Sequence, residues 1–282
     1  MKGILQKNRA IYFHVHLVSD STGETLVTMS RASCAQFPQG KPIEHLYALV
    51  RSQTQLEKAL GLIKDYPGIV FHTLVNHERR LYLEQKCAEI NMPAVSILDP
   101  ALASLGRYLG VAMSSEVGAQ RTMNEQYFSR IGALDYTMAH DDGQNQEGLH
   151  QAEILLLGIS RTSKTPTCIY LANRGYKSAN IPLISGTDLP PIVKKLKHTL
   201  IVGLISSPDR IVEIRRQRLS SLGQGQTDYV DKDSVRDEMM AAKRMFTKNG
   251  FPIVDVSRRS IEETAARIIN IYQDFQDRQK KL

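Results

Sequence analysis

Gly158-Ile159-Ser160-Arg161-Thr162-Ser163-Lys164-Thr165 follows the short run Glu153-Ile154-Leu155-Leu156-Leu157 and leads into a helical pattern over residues 167–173. A buried strand, a polar turn and a helix in that order are the setting of a phosphate-binding loop. In the pattern G-x-x-x-x-G-K-[ST], successive backbone N–H groups wrap phosphate oxygens at a helix N-terminus. The Lys reaches the terminal phosphates and the hydroxyl ligates Mg²⁺. Gly158, Lys164 and Thr165 are in register with that pattern. Ser163 stands where the second Gly belongs, a position that favours a backbone conformation costly for other residues. Chance alone produces Gly, five arbitrary residues and Lys-Ser/Thr in roughly one of every several chains of this size, so the surroundings decide. Four hydroxyl residues (Ser160, Thr162, Ser163 and Thr165) crowd the turn beside Arg161 and Lys164. Pro166 falls in the first helical turn, where a missing N–H costs nothing. A purely structural turn needs neither the Lys nor this density of donors. Residues 158–165 are therefore the candidate nucleotide site, with Lys164 on the phosphates and Thr165 on the metal.

The chain of 282 residues is long enough for one large domain or two ordinary ones, and 42% hydrophobic with 23% charged residues describes a globular protein. No apolar run reaches bilayer length and no signal-peptide pattern opens the sequence, so no membrane partner is expected. Cys34, Cys87 and Cys168 match neither a zinc spacing nor a disulfide framework, which points to a reducing, cytoplasmic setting. The net charge of +7 comes with only 6% aromatic residues and no Trp. Without an RNP-like or zinc-finger pattern, it indicates a basic surface for a phosphate-rich ligand or acidic partner, with no nucleic acid expected.

Strand signals recur at residues 12–18, 43–49, 69–74 and 94–98, with amphipathic helices at 53–65 and 78–90 between them. This alternation predicts a parallel sheet with crossover helices over residues 1–113. Ser19-Asp20-Ser21-Thr22-Gly23-Glu24-Thr25 reads as a turn into a helix capped by Ser21 or Thr22, and also offers a second phosphate site. Residues 114–150 are polar and rich in Gln, Asp and Gly, and read as a connecting segment with one short helix at 131–138. The α/β rhythm resumes over 151–282. Strands are expected at 153–157, 179–184, 199–205 and 252–256, and helices at 167–173, 191–197, 210–219, 233–248 and 260–275. Ser260 and Glu263 form a capping-box spacing, and residues 223–231 read as a mobile polar stretch. The expected architecture is α/β: an N-terminal α/β domain followed by a P-loop kinase-like α/β domain with a mostly parallel sheet.

A phosphoryl-transfer site needs an acid to support Mg²⁺ or to accept a proton. Asp188, Asp209 and Asp255 follow or lie in strands but read better as caps and turns. Asp141-Asp142, flanked by His140 and Gly143, lies just before the P-loop strand and can supply a metal ligand or base, though from spacing alone a solvated acidic turn is the favoured reading. Arg215-Arg216-Gln217-Arg218 is either a cationic lid over transferring phosphates or a solvent-facing helix.

The stretch 158–165 extended through Pro166 and Thr167, with Tyr170-Leu171-Ala172 beyond, resembles the signature of the pyruvate, phosphate dikinase regulatory protein family. So do Val18-Ser19-Asp20-Ser21-Thr22-Gly23-Glu24-Thr25 and Ala133-Leu134-Asp135-Tyr136-Thr137-Met138-Ala139-His140-Asp141-Asp142-Gly143. Val254-Asp255-Val256-Ser257 with Ser260-Ile261-Glu262-Glu263 completes the match over nearly the whole chain. The resemblance implies a bifunctional serine/threonine kinase and phosphorylase. One activity moves a phosphoryl group from ADP to a threonine beside the dikinase's catalytic histidine and inactivates it. The other removes that phosphate with inorganic phosphate, releasing pyrophosphate. It further implies ADP on residues 158–165 with Lys164 on its phosphates; the chemistry adds Mg²⁺ as the expected cofactor, and Asp141 or Asp142 joins Lys164 as a candidate catalytic residue that accepts the threonine proton. Thr162-Ser163 before the Lys resembles the branch that regulates the dikinase, whereas Cys-Gly there marks the branch that regulates phosphoenolpyruvate synthase. A small-molecule P-loop kinase and a non-catalytic nucleotide sensor are the competing readings. A homodimer is the assembly considered, and the residues do not fix it.

Overall fold

The computed structural model describes residues 10–111, 125–184, 186–221 and 228–280, and the chain divides into two compact units, 1–122 and 123–282. Residues 1–9, 114–124 and 223–227, which fall in the expected leader, connection and mobile stretch, lie outside the described residues.

The first unit runs β1 (Ile11–Val18), α1 (Glu24–Cys34), β2 (Gly40–Tyr47), α2 (Gln53–Asp65), β3 (Gly68–His72), α3 (His77–Glu89), β4 (Ala94–Ser96) and α4 (Asp99–Leu109). Its four strands are all parallel in the order β2-β1-β3-β4. Side chains alternate across a strand, so β1 feeds two cores. Val15 and Leu17 pack with Leu26 of α1, while Val18 packs with Leu56 and Ile63 of α2 and Leu83 of α3. Ser52 and Gln55 close a capping box on α2, and Asn76 caps α3. The N-cap does not fall on Ser21 or Thr22 as expected. Gly23 is the N-cap of α1 at φ 79°, without a side-chain cap bond. Polar groups of this turn instead tie β1 to the exit of β3: Thr73 Oγ1 donates to Ser19 Oγ at 3.0 Å and the Val75 N–H to Asp20 Oδ2 at 2.8 Å.

The second unit runs α5 (Glu125–Ala139), β5 (Ile154–Gly158), α6 (Lys164–Asn173), β6 (Ser178–Pro182), β7 (Leu200–Ile205), α7 (Pro208–Ser221), α8 (Lys232–Asn249), β8 (Ile253–Asp255) and α9 (Ile261–Gln279). Short 3₁₀ turns cover Asp141–Gly143, Gln146–Gln151, Pro191–Lys195 and Asp228–Val230. The strands are again parallel, in the order β6-β5-β7-β8. β5 is buried throughout because both its faces are covered. Ile154 and Leu156 join Cys168, Leu171, Ala265 and Ile268 on the α6/α9 side, while Leu155 and Leu157 join Ile211, Val235 and Phe246 on the other. On β7, a Cβ at Gly203 would overlap the Phe246 ring, so this glycine lets α8 settle against the sheet.

Residues 125–151, expected to belong to a connection, are grouped with the second unit. Here α5 is longer than the helix expected at 131–138 and packs on α6. Thr137 Oγ1 donates to the Ser178 carbonyl at 2.7 Å, and Tyr136 Oη to the Gly148 carbonyl at 3.0 Å. The polar composition of this segment resembles a loop because its order comes from these long-range bonds. No described helix is long and apolar enough to cross a membrane.

Candidate functional site

In an open parallel sheet, connections that leave a strand in opposite directions open a crevice at its C-terminal end. β5 lies between β6 and β7, so the turn at 159–163 is placed at such a point. Here Gly158 and Thr162 set the tightness of the loop. Thr162 is fully buried and its Oγ1 donates to the Ile159 carbonyl at 2.9 Å. A Cβ on Gly158 would lie 2.6 Å from that hydroxyl oxygen and 2.9 Å from the Leu204 carbonyl. Only a glycine fits there.

Ser163 does what the missing Gly would do. It occupies the left-handed region at φ 60°, ψ 25°, and Arg161 does the same at φ 73°. Holding L-residues there costs of order 1–2 kcal/mol each, and such outliers persist only where the surroundings enforce them. Ser163 is the N-cap of α6 but makes no side-chain cap hydrogen bond, so its hydroxyl does not take up the first-turn N–H groups that an anion would use. Ser163→Gly should therefore leave the unfolding midpoint of this unit unchanged or higher, while Ser163→Val should lower stability by about 1–2 kcal/mol, read by denaturant titration.

Lys164 begins α6, one turn earlier than the helix expected at 167–173, and its side chain is 6% exposed. Its Nζ donates to the Ile159 carbonyl at 3.1 Å, reaching across the loop. Burial pulls the ammonium down to about 8, against the opposing charges of Asp142 and Asp141. Thr165 points elsewhere: its Oγ1 donates to Asp141 Oδ1 at 2.9 Å. That bond joins the two halves of the sequence-predicted site, the phosphate loop and the Asp141–Gly143 turn, across 24 residues. Asp142 is exposed and its backbone is left-handed at φ 48°, ψ 36°. His140 turns away, with Nδ1 donating to the Tyr136 carbonyl at 2.7 Å and its ring against Gly148.

A hydroxyl beside a carboxylate supplies the hard oxygen donors that Mg²⁺ takes when phosphates and water complete its shell. Thr165 and Asp141 fit that role. Among the described residues no group of three or more His, Cys, Asp or Glu could hold a metal by itself.

Two residues that sequence reasoning missed complete the loop's surroundings. Tyr229 places its hydroxyl 2.8 Å from Ser160 Oγ. Asn180 of β6 donates to Asp141 Oδ1 at 2.5 Å. The only sequence signal for Asn180 is an amide inside the run Ala179-Asn180-Ile181. Of the expected cationic cluster, Arg216, Gln217 and Arg218 are exposed, but Arg215 is buried scaffold at 1% exposure. Its guanidinium pairs with Glu238 at 2.7 Å, donates to the Tyr229 carbonyl at 3.0 Å and stacks on the Tyr229 ring at 4.2 Å. It braces the loop from behind. The other candidate acids are turn and surface groups: Asp209 pairs with Lys232, Asp255 accepts from Ser257, and Asp188 is exposed.

Comparison with known proteins matches residues 15–269 to the kinase/pyrophosphorylase family. A relative from Caulobacter vibrioides is 55% identical over 93% of this chain and 84% of its own length. Others from Maricaulis maris and Rhodopseudomonas palustris are 53% and 51% identical, over 93% and 94% of this chain and 94% and 96% of theirs. All three are provisionally named pyruvate, phosphate dikinase regulatory proteins. The match runs through both units, the phosphate loop and the Asp141-Asp142 turn, and the chain belongs to the kinase/pyrophosphorylase family.

Proposed function

We propose that this chain regulates pyruvate, phosphate dikinase by reversible phosphorylation of a threonine, with ADP as donor in one direction and inorganic phosphate as acceptor in the other. The observation that carries this reading is the Thr165–Asp141 bond, which sets an acid and a metal-ligating hydroxyl beside a buried lysine on a phosphate-type loop. In the kinase direction, the loop N–H groups and Lys164 hold the diphosphate of ADP. The target threonine's oxygen forms a bond to the β-phosphorus as the bridge to the α-phosphate breaks and AMP leaves. In the reverse role, an oxygen of inorganic phosphate attacks the phosphorus on threonine, and pyrophosphate departs with the threonine hydroxyl restored. Both are displacements at one phosphorus, so one set of charges serves both.

The two acids divide the work. Asp141 accepts from Thr165 and Asn180, and with Thr165 it would hold Mg²⁺, whose charge would offset that developing on the phosphates. Asp142 is exposed, and is the carboxylate left to take the threonine proton.

Incubating the protein with ADP carrying a labelled β-phosphate and purified dikinase tests the reading. Label on a dikinase threonine, lost again with inorganic phosphate as labelled pyrophosphate, is the expected result. Label on phosphoenolpyruvate synthase instead would move the target, label on a small metabolite would make the protein a metabolite kinase, and binding without transfer would make it a sensor.

A further inference from the structure

Asn180 lies mid-strand in β6 with its side chain fully buried, flanked by Ala179 and Ile181, which belong to the apolar core. An amide in such a place is costly unless its donors and acceptor are matched. Apart from a long Nδ2 contact to Cys168 Sγ at 3.9 Å, its bonds converge on one short segment. Nδ2 donates to Asp141 Oδ1 at 2.5 Å, and Oδ1 accepts the Asp142 N–H at 3.3 Å. The Asn180 backbone N–H donates to the His140 carbonyl at 3.4 Å. One residue thus grips three consecutive residues of the acid turn.

That turn needs a restraint. Asp142 sits at φ 48° and Asn145 at φ 47°, conformations that L-residues leave when nothing holds them. Asp141 must also keep one rotamer, because rotation about its Cα–Cβ bond would break the contact with Thr165. Both bonds to Asp141 fall on the same oxygen, Oδ1. Among the described residues nothing is bonded to its second oxygen, so the carboxylate is oriented without being saturated.

We infer that Asn180 is the positioning residue of the magnesium–nucleotide site, fixing Asp141 on Thr165 and the acid turn against β6. The inference rests on the kinase reading above and concerns how the phosphate loop acquires an acid from outside its own strand–turn–helix unit.

The test uses the full chain and reads ADP affinity with and without Mg²⁺ by calorimetry, so it does not depend on a protein substrate. Asn180→Leu keeps the branching and heavy-atom count and removes every side-chain hydrogen bond. It should leave magnesium-free ADP affinity within about twofold and cut the gain in affinity from magnesium by about tenfold or more, the usual scale for a group behind a metal ligand. Added to Asp141→Asn, it should cost no more than about a further twofold, because its effect passes through Asp141. Asn180→Ser, too short to reach Asp141, should behave like Asn180→Leu and covers the case in which Leu impairs folding. A full magnesium gain in both variants, or losses that multiply in the double variant, would overturn the inference and leave the kinase reading intact. A wild-type chain that gains nothing from magnesium would overturn both.

Discussion

Replacing Lys164 by Met is expected to lower phosphoryl transfer from ADP by about 10³-fold or more, while the nucleotide-free protein stays as stable as before or becomes more so. The two effects have one cause. Lys164 carries its charge in a buried position with one neutral hydrogen-bond partner, the Ile159 carbonyl, and the charges of Asp142 and Asp141 offset only part of the cost of burial. Without nucleotide that charge is a cost; with a diphosphate against it, it is the main attraction. Single-turnover transfer and thermal unfolding, measured on the same preparation, check both halves. Retained transfer would exclude Lys164 from the site.

The depressed ammonium also sets a pH signature. In the free protein Lys164 titrates near 8, against 10.5 when unfolded. The unfolded chain therefore binds more protons between those values, so this group's stability cost is fully present below 8 and is relieved as pH rises towards 10.5. Phosphate oxygens restore the charge, so ADP binding should take up protons around pH 8 and weaken as pH climbs through it, by up to about tenfold per unit. Calorimetry in buffers of different ionisation enthalpy measures that uptake, and Lys164→Met should abolish it.

The second large effect is expected to separate the paired acids. Asp142→Asn should cut transfer by about 10²–10⁴-fold, the scale of a lost general base, with the magnesium dependence of ADP binding unchanged. Asp141→Asn should reduce transfer by a similar factor and flatten that magnesium dependence, because its carboxylate is the one bonded to Thr165. Magnesium titrations of ADP affinity alongside transfer rates distinguish the two patterns. If the patterns came out exchanged, the roles given to Asp141 and Asp142 would be reversed. If transfer survived both substitutions, neither acid would be part of the chemistry.

Much of the fold was legible because local and global signals agree. The run 153–157 reads as a short buried strand and β5 lies within one residue of it, and the helical patterns at 53–65 and 233–248 closely match α2 and α8. Weak or absent local patterns misled. α4 (Asp99–Leu109) fully buries none of its residues and lies outside the helices expected from the sequence, and the helical part of 125–151 is hard to read because bonds that close its own loop and reach β6 order it. Arg215 looked like its charged neighbours, and only burial against Glu238 and Tyr229 sets it apart.

The sequence by itself determined the strand–turn–helix around residues 158–165, the parallel α/β architecture and the family, since each depends on residues adjacent along the chain or on patterns repeated within it. It also placed Asp141-Asp142 among the candidates, without a reason to choose them over a solvated turn. Tertiary structure decided the rest. Ser163 adopts the backbone conformation of the glycine it replaces, Thr165 meets an acid from a segment preceding its strand, and Asn180 holds that acid from the neighbouring strand. Left-handed geometry enforced by surroundings and bonds across a parallel sheet are properties of packing. No spacing of residue types along a chain encodes them.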